Sequence, residues 1–188
     1  RQLMIRGMAS LREHGHTRQQ LIQASYHRRS LCLYAKLGFI ATDLLSAMTG
    51  APMKAVISGR AVRPATQDDG DACNALCRQV HGFDRAGEVA SAIAQGTAAI
   101  VESATGISGY TTGVTFAGHA VGTSNDDLKA LLASGGEASG PGVMIPTTNG
   151  ELCKWCLDNG LRVTQQLTLM DTQPLGPPSG AYWPGILC

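Results

Sequence analysis

A chain of 188 residues with 44% hydrophobic and 15% charged side chains has the composition of a globular protein with room for one or two domains. No apolar run approaches the roughly 20 residues that span a bilayer, so no membrane segment is expected. The net charge of +1 hides an asymmetry: residues 1–55 hold eight Lys/Arg against two Asp/Glu, and the remainder seven against twelve. A basic segment beside an acidic one suits a phosphate-bearing ligand on the first part. Nucleic acid is disfavoured, because the aromatic residues needed for base stacking make up only 5% of the chain.

Residues 2–14 predict a helix, with Leu3, Met4, Gly7, Met8 and Leu11 at helical spacing and Gly15 as its stop. The chain enters this helix at once, and upstream sequence is expected before it. Arg18 to Ser25 reads as a strand, Arg29 to Leu37 as a short helix stopped by Gly38, and Phe39 to Leu45 as a second strand. Thr49 to Gly59, with two Gly and a Pro, reads as a linker. The expected division is therefore 1–50, a linker over 51–59, and 60–188. In the last part, Ala61 to Ala65 reads as a strand and Thr66 to Asp69 as a helix start with acids in its first turn. Helices are expected over about 68–80 and 85–95. Strands are expected over Thr97–Ser103, Ile107–Phe116 and His119–Gly122. Ser124 caps a helix that ends at Gly135-Gly136, Val143 to Ile145 is a strand, residues 150–159 a helix, and Leu161 to Met170 a strand. Ala181 to Leu187 reads as a last strand.

Six cysteines without a secretory leader read as reduced thiols, and a cytoplasmic setting is expected. Cys73 with Cys77, and Cys153 with Cys156, have spacings found in metal sites. Cys73, Leu76, Cys77 and Val80 also form one buried helical stripe, so no metal is expected. Cys156 has no neighbour in sequence that would lower its pKa, which favours packing over a nucleophilic role. His81 and His119 are read as loop or core residues rather than bases.

One pattern occurs twice, 122 residues apart. His27-Arg28-Arg29-Ser30 leads to Gly38-Phe39, and Asn149-Gly150-Glu151-Leu152 leads to Gly160-Leu161. In each, a polar residue ending a strand is followed eleven positions later by Gly and a large apolar residue. The helix-strand-helix-strand order of residues 2–45 also recurs over 124–170, which marks a duplicated unit.

Both units resemble the GCN5-related N-acetyltransferase (GNAT) family. The resemblance is carried by Ser30-Leu31-Cys32-Leu33-Tyr34-Ala35-Lys36-Leu37-Gly38-Phe39, similar to the family's late helix with its tyrosine and Gly-Phe ending. Arg1-Gln2-Leu3-Met4 resembles the helix that follows the family's pyrophosphate loop. In the second unit the matching stretches are Val62 to Asp69, Ser108-Gly109-Tyr110 and Ile145 to Asn149. The resemblance implies an α/β fold: a GNAT-like mixed sheet flanked by helices, with the first unit partial and the second complete but divergent, as in tandem members.

It further implies an N-acetyltransferase moving an acetyl group from acetyl-CoA to a primary amine on a small molecule or peptide. The pantetheine arm would lie between two diverging strands. Tyr34 would be the general acid that protonates the departing thiolate, with Arg1, Gln2, His27, Ser30 and Asn149 along the cofactor. His27 stands where the family has Asn, Cys156 replaces the tyrosine in the second unit, and no glycine-rich loop precedes Asn125. These departures leave open a second reading, in which residues 60–188 are a non-catalytic module that shapes the substrate cleft or mediates dimerisation. A homodimer, the acceptor amine and the general base are all left open.

Overall fold

The computed structural model describes residues 1–186, with the side chain of Ser139 left aside; Leu187, the end of the expected last strand, lies outside them. The first repeat comprises helix α1 (Gln2–Glu13), strand β1 (Gln20–Ala24), helix α2 (Arg28–Ala35) and strand β2 (Ile40–Gly50). There follow β3 (Ala61–Pro64), α3 (Gly70–His81), α4 (Ala86–Ala94), β4 (Ala99–Ser103), β5 (Gly106–Thr111) and β6 (Ala120–Gly122). The second repeat is α5 (Asn125–Ser134), β7 (Ala138–Pro146), α6 (Gly150–Asp158) and β8 (Arg162–Asp171), and β9 (Ala181–Trp183) closes the order. None of these helices is long and apolar enough to cross a membrane.

The repeat extends to the backbone. His27 (φ −84, ψ 78) and Asn149 (φ −80, ψ 74) precede their helices in the same conformation. Gly38 and Gly160, which end those helices, both have φ +93, a left-handed conformation that glycine adopts without steric cost. The turn hydrogen bonds also recur: Phe39 N donates to Tyr34 O, and Leu161 N to Cys156 O, at 3.1 and 3.0 Å.

The strands are exchanged between the repeats. One sheet has the order β1-β8-β2-β7, so each repeat's last strand lies beside the other repeat's first. Leu45 and Leu167, 122 residues apart, face each other in the central β2–β8 pair and place a pseudo-two-fold axis there. Gln20↔Asp171 in the β1–β8 pair and Met48↔Val143 in the β2–β7 pair keep a common register about that axis. Leu45, Ala47, Met144, Leu167 and Leu169 form the apolar layer that buries this arrangement. Neither repeat completes its sheet alone.

The second sheet, β3-β4-β5-β6-β9, is antiparallel and belongs wholly to the later part of the chain. Its outer face is covered by α3 and α4 through Cys73, Leu76, Cys77, Val80 and Val89, the expected helical stripe. Burial pushes the Cys73 thiol up to about 12, which keeps it protonated and inert. Two strands run longer than their sequence suggests. β2 continues to Gly50 and β7 begins at Ala138, because each gains cross-strand partners distant in sequence. β5 ends early, at Thr111, and beyond it Gly118 packs on the Gly113 backbone, where a Cβ on Gly118 would collide with the Gly113 carbonyl.

Candidate functional site

The two repeats differ in what their helix N-termini and strand edges leave open, beginning at the first helix of each. Arg1 precedes α1 without a side-chain cap, and no acidic residue lies in the first turn. Backbone N–H groups at such a terminus, with Arg1 and Gln2 beside them, suit an anion. At α5 the corresponding groups are taken. Ser124 and Asp127 form a reciprocal capping box, and the fully buried Asp127 carboxylate also accepts from Ser108 (2.7 Å), Thr123 (2.8 Å) and Arg60. Those four donors hold its pKa below the ordinary carboxylate value despite burial. A phosphate at that terminus would meet Asp126 and Asp127.

Tyr34 lies on α2 and packs with Met8, Phe39 and Met170, its ring edge-on to Phe39 at 6.1 Å. Its equivalent, Cys156, is fully buried in the main core. The Tyr34 hydroxyl has no hydrogen-bond partner among the described residues, and it is not among the buried polar atoms left unpaired, so it reaches solvent. His27 is exposed at the start of α2, its ring tilted against Tyr26 at 4.5 Å, while Ser30 is half-buried one turn on. Arg1, Gln2, His27, Ser30 and Tyr34 thus all lie on the two helices of the first repeat.

Asn149 is elsewhere. It caps α6 by accepting from Leu152 N (3.2 Å), and its amide pairs reciprocally with Asn125 at 2.7 and 3.2 Å. Those bonds leave little of its hydrogen-bonding capacity for a ligand.

Gln23 was not anticipated from the sequence. It shares a face of β1 with Leu21, toward the Tyr34 cluster, since side chains alternate along a strand. It is 6% exposed, yet neither its amide nitrogen nor its amide oxygen has a partner among the described residues. A buried amide without partners is costly. β1 is also an edge strand, paired to β8 on one side only. The first repeat therefore has a helix N-terminus free of acids, a buried amide without a partner among the described residues, and an accessible phenol.

In the second repeat the gap between β6 and β7 is filled. β9 hydrogen-bonds along β6, with Ala120 opposite Trp183 and Gly122 opposite Ala181. Trp183 is fully buried with Met48, Val143 and Ile145 of the neighbouring sheet. The strand edge along which a ligand could be added is used by the protein's own chain.

A cleft of about 560 Å³ lies between the two sheets, lined from both repeats by Arg18, Asp43, Asn149 and Asp171, by Phe83 from the α3–α4 loop and by Tyr182 from β9. Arg18 and Arg85 flank the Phe83 ring at 5.0 and 5.1 Å. His81 and His119 reach its wall. Burial lowers both pKa values, that of His81 to about 3, and each ring is neutral near pH 7. His119 bonds Tyr110 Oη through Nε2 (2.9 Å) and Glu88 through Nδ1 (3.0 Å), a satisfied core histidine as its sequence context suggested. No group of three or more side chains suited to hold a metal ion comes together among the described residues.

No sequence-family model and no characterised relative matches the chain. Solved structures do. A protein of Pyrococcus horikoshii, provisionally described as an acetyltransferase, matches with a TM-score of 0.59 at 11% identity, over 86% of this chain and 58% of its own. A GCN5-related N-acetyltransferase from Sphaerobacter thermophilus matches at 0.51 and 12%, over 95% and 70%. Another from Anabaena variabilis matches at 0.52 and 13%, over 90% and 49%. The chain thus spans less than two thirds of the Pyrococcus and Anabaena proteins. At such identities the likeness establishes architecture: the α/β fold of this chain is that of the GCN5-related N-acetyltransferases.

Proposed function

We propose that the chain serves acetyl transfer from acetyl-CoA to a primary amine, with the cofactor held by the first repeat. The observation that carries this reading is the contrast between helix α1, whose first turn is free of acids, and α5, whose N-terminus is closed by Asp127. The unpartnered amide of Gln23 and the accessible hydroxyl of Tyr34 support it. Acetyl-CoA supplies an activated acyl carbon and a thiolate leaving group. As the amine nitrogen bonds that carbon and the C–S bond breaks, Tyr34 Oη–H gives its proton to the departing sulfur, and the amine's surplus proton, passing through solvent, restores the Tyr34 hydroxyl. Arg1 and Gln2 lie along the phosphates, and His27 and Ser30 along the arm.

Residues 60–188 act in this reading as a non-catalytic half. β8 completes the first repeat's sheet, and β9 fills the second repeat's own gap. The test is Tyr34→Phe in an assay of CoA release. Loss of a general acid should lower the rate by about 10² while acetyl-CoA binding stays within about threefold. An unchanged rate would remove Tyr34 from the mechanism.

A further inference from the structure

We infer that Phe83 is a gate: its ring is a movable wall between two cavities, which join into one passage when the ring turns. The inference does not rest on the acetyl-transfer reading, because none of the first-repeat residues assigned to the cofactor lines either cavity.

On one side of the ring is the cleft between the sheets. On the other is a second cavity of about 610 Å³, bounded by the end of α1 at Leu11, by His16 of the following loop, and by Gly87 and Glu88 in the first turn of α4. Arg18, Gln20, Phe83 and Arg85 line both cavities. Three of these four side chains are fixed by polar bonds. Arg18 pairs with the fully buried Asp171 at 2.6 Å, Gln20 donates to the same carboxylate at 3.0 Å, and Arg85 pairs with Glu88 at 3.1 Å.

Phe83 is held differently. It is half-buried, and among the described residues it joins none of the apolar clusters of the core. Its ring rests against the guanidinium groups of Arg18 and Arg85, at 5.0 and 5.1 Å, and against the His81 ring at 5.1 Å. Such contacts hold a ring far less firmly than the many close contacts of a packed core.

The backbone beside it is pinned. Gly82 N donates to Arg78 O at 2.9 Å and Arg85 N to Asn74 Oδ1 at 2.8 Å. The Asp84 carboxylate accepts from Asn74 at 2.7 Å, and from Arg78 and Ala86 N at 2.9 Å. The moving part is therefore the ring, turning about its own side-chain bonds, and not the loop. The second cavity gives it room, since a Cβ built on Gly87 would meet open space. A ring turned toward Gly87 leaves the cleft wall and lets a small solute pass between the two cavities.

The experiment is fluorine NMR of the whole chain labelled with 4-fluorophenylalanine at its three phenylalanines, with Phe83→Leu assigning the signal. The para fluorine lies on the axis of ring flipping, so its exchange reports displacement of the ring. Phe39 in its core cluster and Phe116 against the exchanged sheet are internal references. The expected result is microsecond-to-millisecond relaxation dispersion at Phe83 alone. Arg18→Lys keeps a charge for Asp171 and removes the planar face, and it should raise the minor population at least about twofold. Gly87→Leu fills the second cavity and should abolish the dispersion, with unchanged Phe39 and Phe116 signals showing that the fold is kept. Carbethoxylation of His81, read peptide by peptide, should slow in the same variant. A Phe83 signal without dispersion, dispersion shared by all three rings, or dispersion that persists in Gly87→Leu would each overturn the gate.

Discussion

At equivalent places the two repeats share a backbone and differ in what covers it. Met8, Phe39 and Met170 in the first repeat correspond to Ala130, Leu161 and Met48 in the second, where Cys156 stands in place of Tyr34. In the second repeat this layer lies in the main core with β4, β6 and β9, whereas in the first it is a small separate cluster with an accessible phenol. Ile5 and Asp127 hold the same position in the duplication, yet Ile5 is 41% exposed and Asp127 is fully buried as a cap. Duplication conserved the frame, and the change of a few side chains turned one half into a closed core and left the other open at its helix N-terminus and strand edge.

The largest expected effect follows from the exchanged sheet. Gly142 has φ +90, and a Cβ there would collide with the Met48 carbonyl on the neighbouring strand, whereas its counterpart, Gln20, carries a side chain without strain. Gly142→Ala should cost about 3–5 kcal/mol, and Gln20→Ala about 1 kcal/mol from its bond to Asp171. Denaturant unfolding of both variants measures the difference, and equal costs would contradict the register described for β2 and β7.

Next comes the buried carboxylate. Asp127→Ala leaves Arg60, Ser108, Thr123 and Ser124 without their acceptor and should cost about 3 kcal/mol, while Ile5→Ala at the equivalent exposed position should cost less than about 1 kcal/mol.

A smaller effect separates the two halves by pH. His81 lies in the later half of the chain, and burial lowers its pKa to about 3. The unfolded chain takes up this proton first, so the stability it contributes is full above about pH 6.5 and declines as pH falls toward 3. His81→Gln should flatten that part of the acid limb in thermal melts.

Much of this fold was legible in the sequence because its signals are local. Gly15, Gly38, Gly82 and Gly160 each stop a helix with positive φ, and the Ser124 and Thr66 caps begin helical turns as their neighbours suggest. The 122-residue repeat was legible for the same reason. The strand exchange was not, since β1 pairing with β8 joins residues about 150 apart, and periodicity carries no information about which strand lies beside which. Of the proposed cofactor site, Tyr34 and the α1 terminus were read from the sequence. It did not point to Gln23, whose significance is its burial without a partner among the described residues.

The most direct test of the account is the stoichiometry of acetyl-CoA binding. Calorimetric titration of the chain should give one site, weakened by Gln23→Leu and unaffected by Asn149→Ala. Two equivalent sites, or a single site lost in Asn149→Ala and kept in Gln23→Leu, would contradict the assignment of the cofactor to the first repeat.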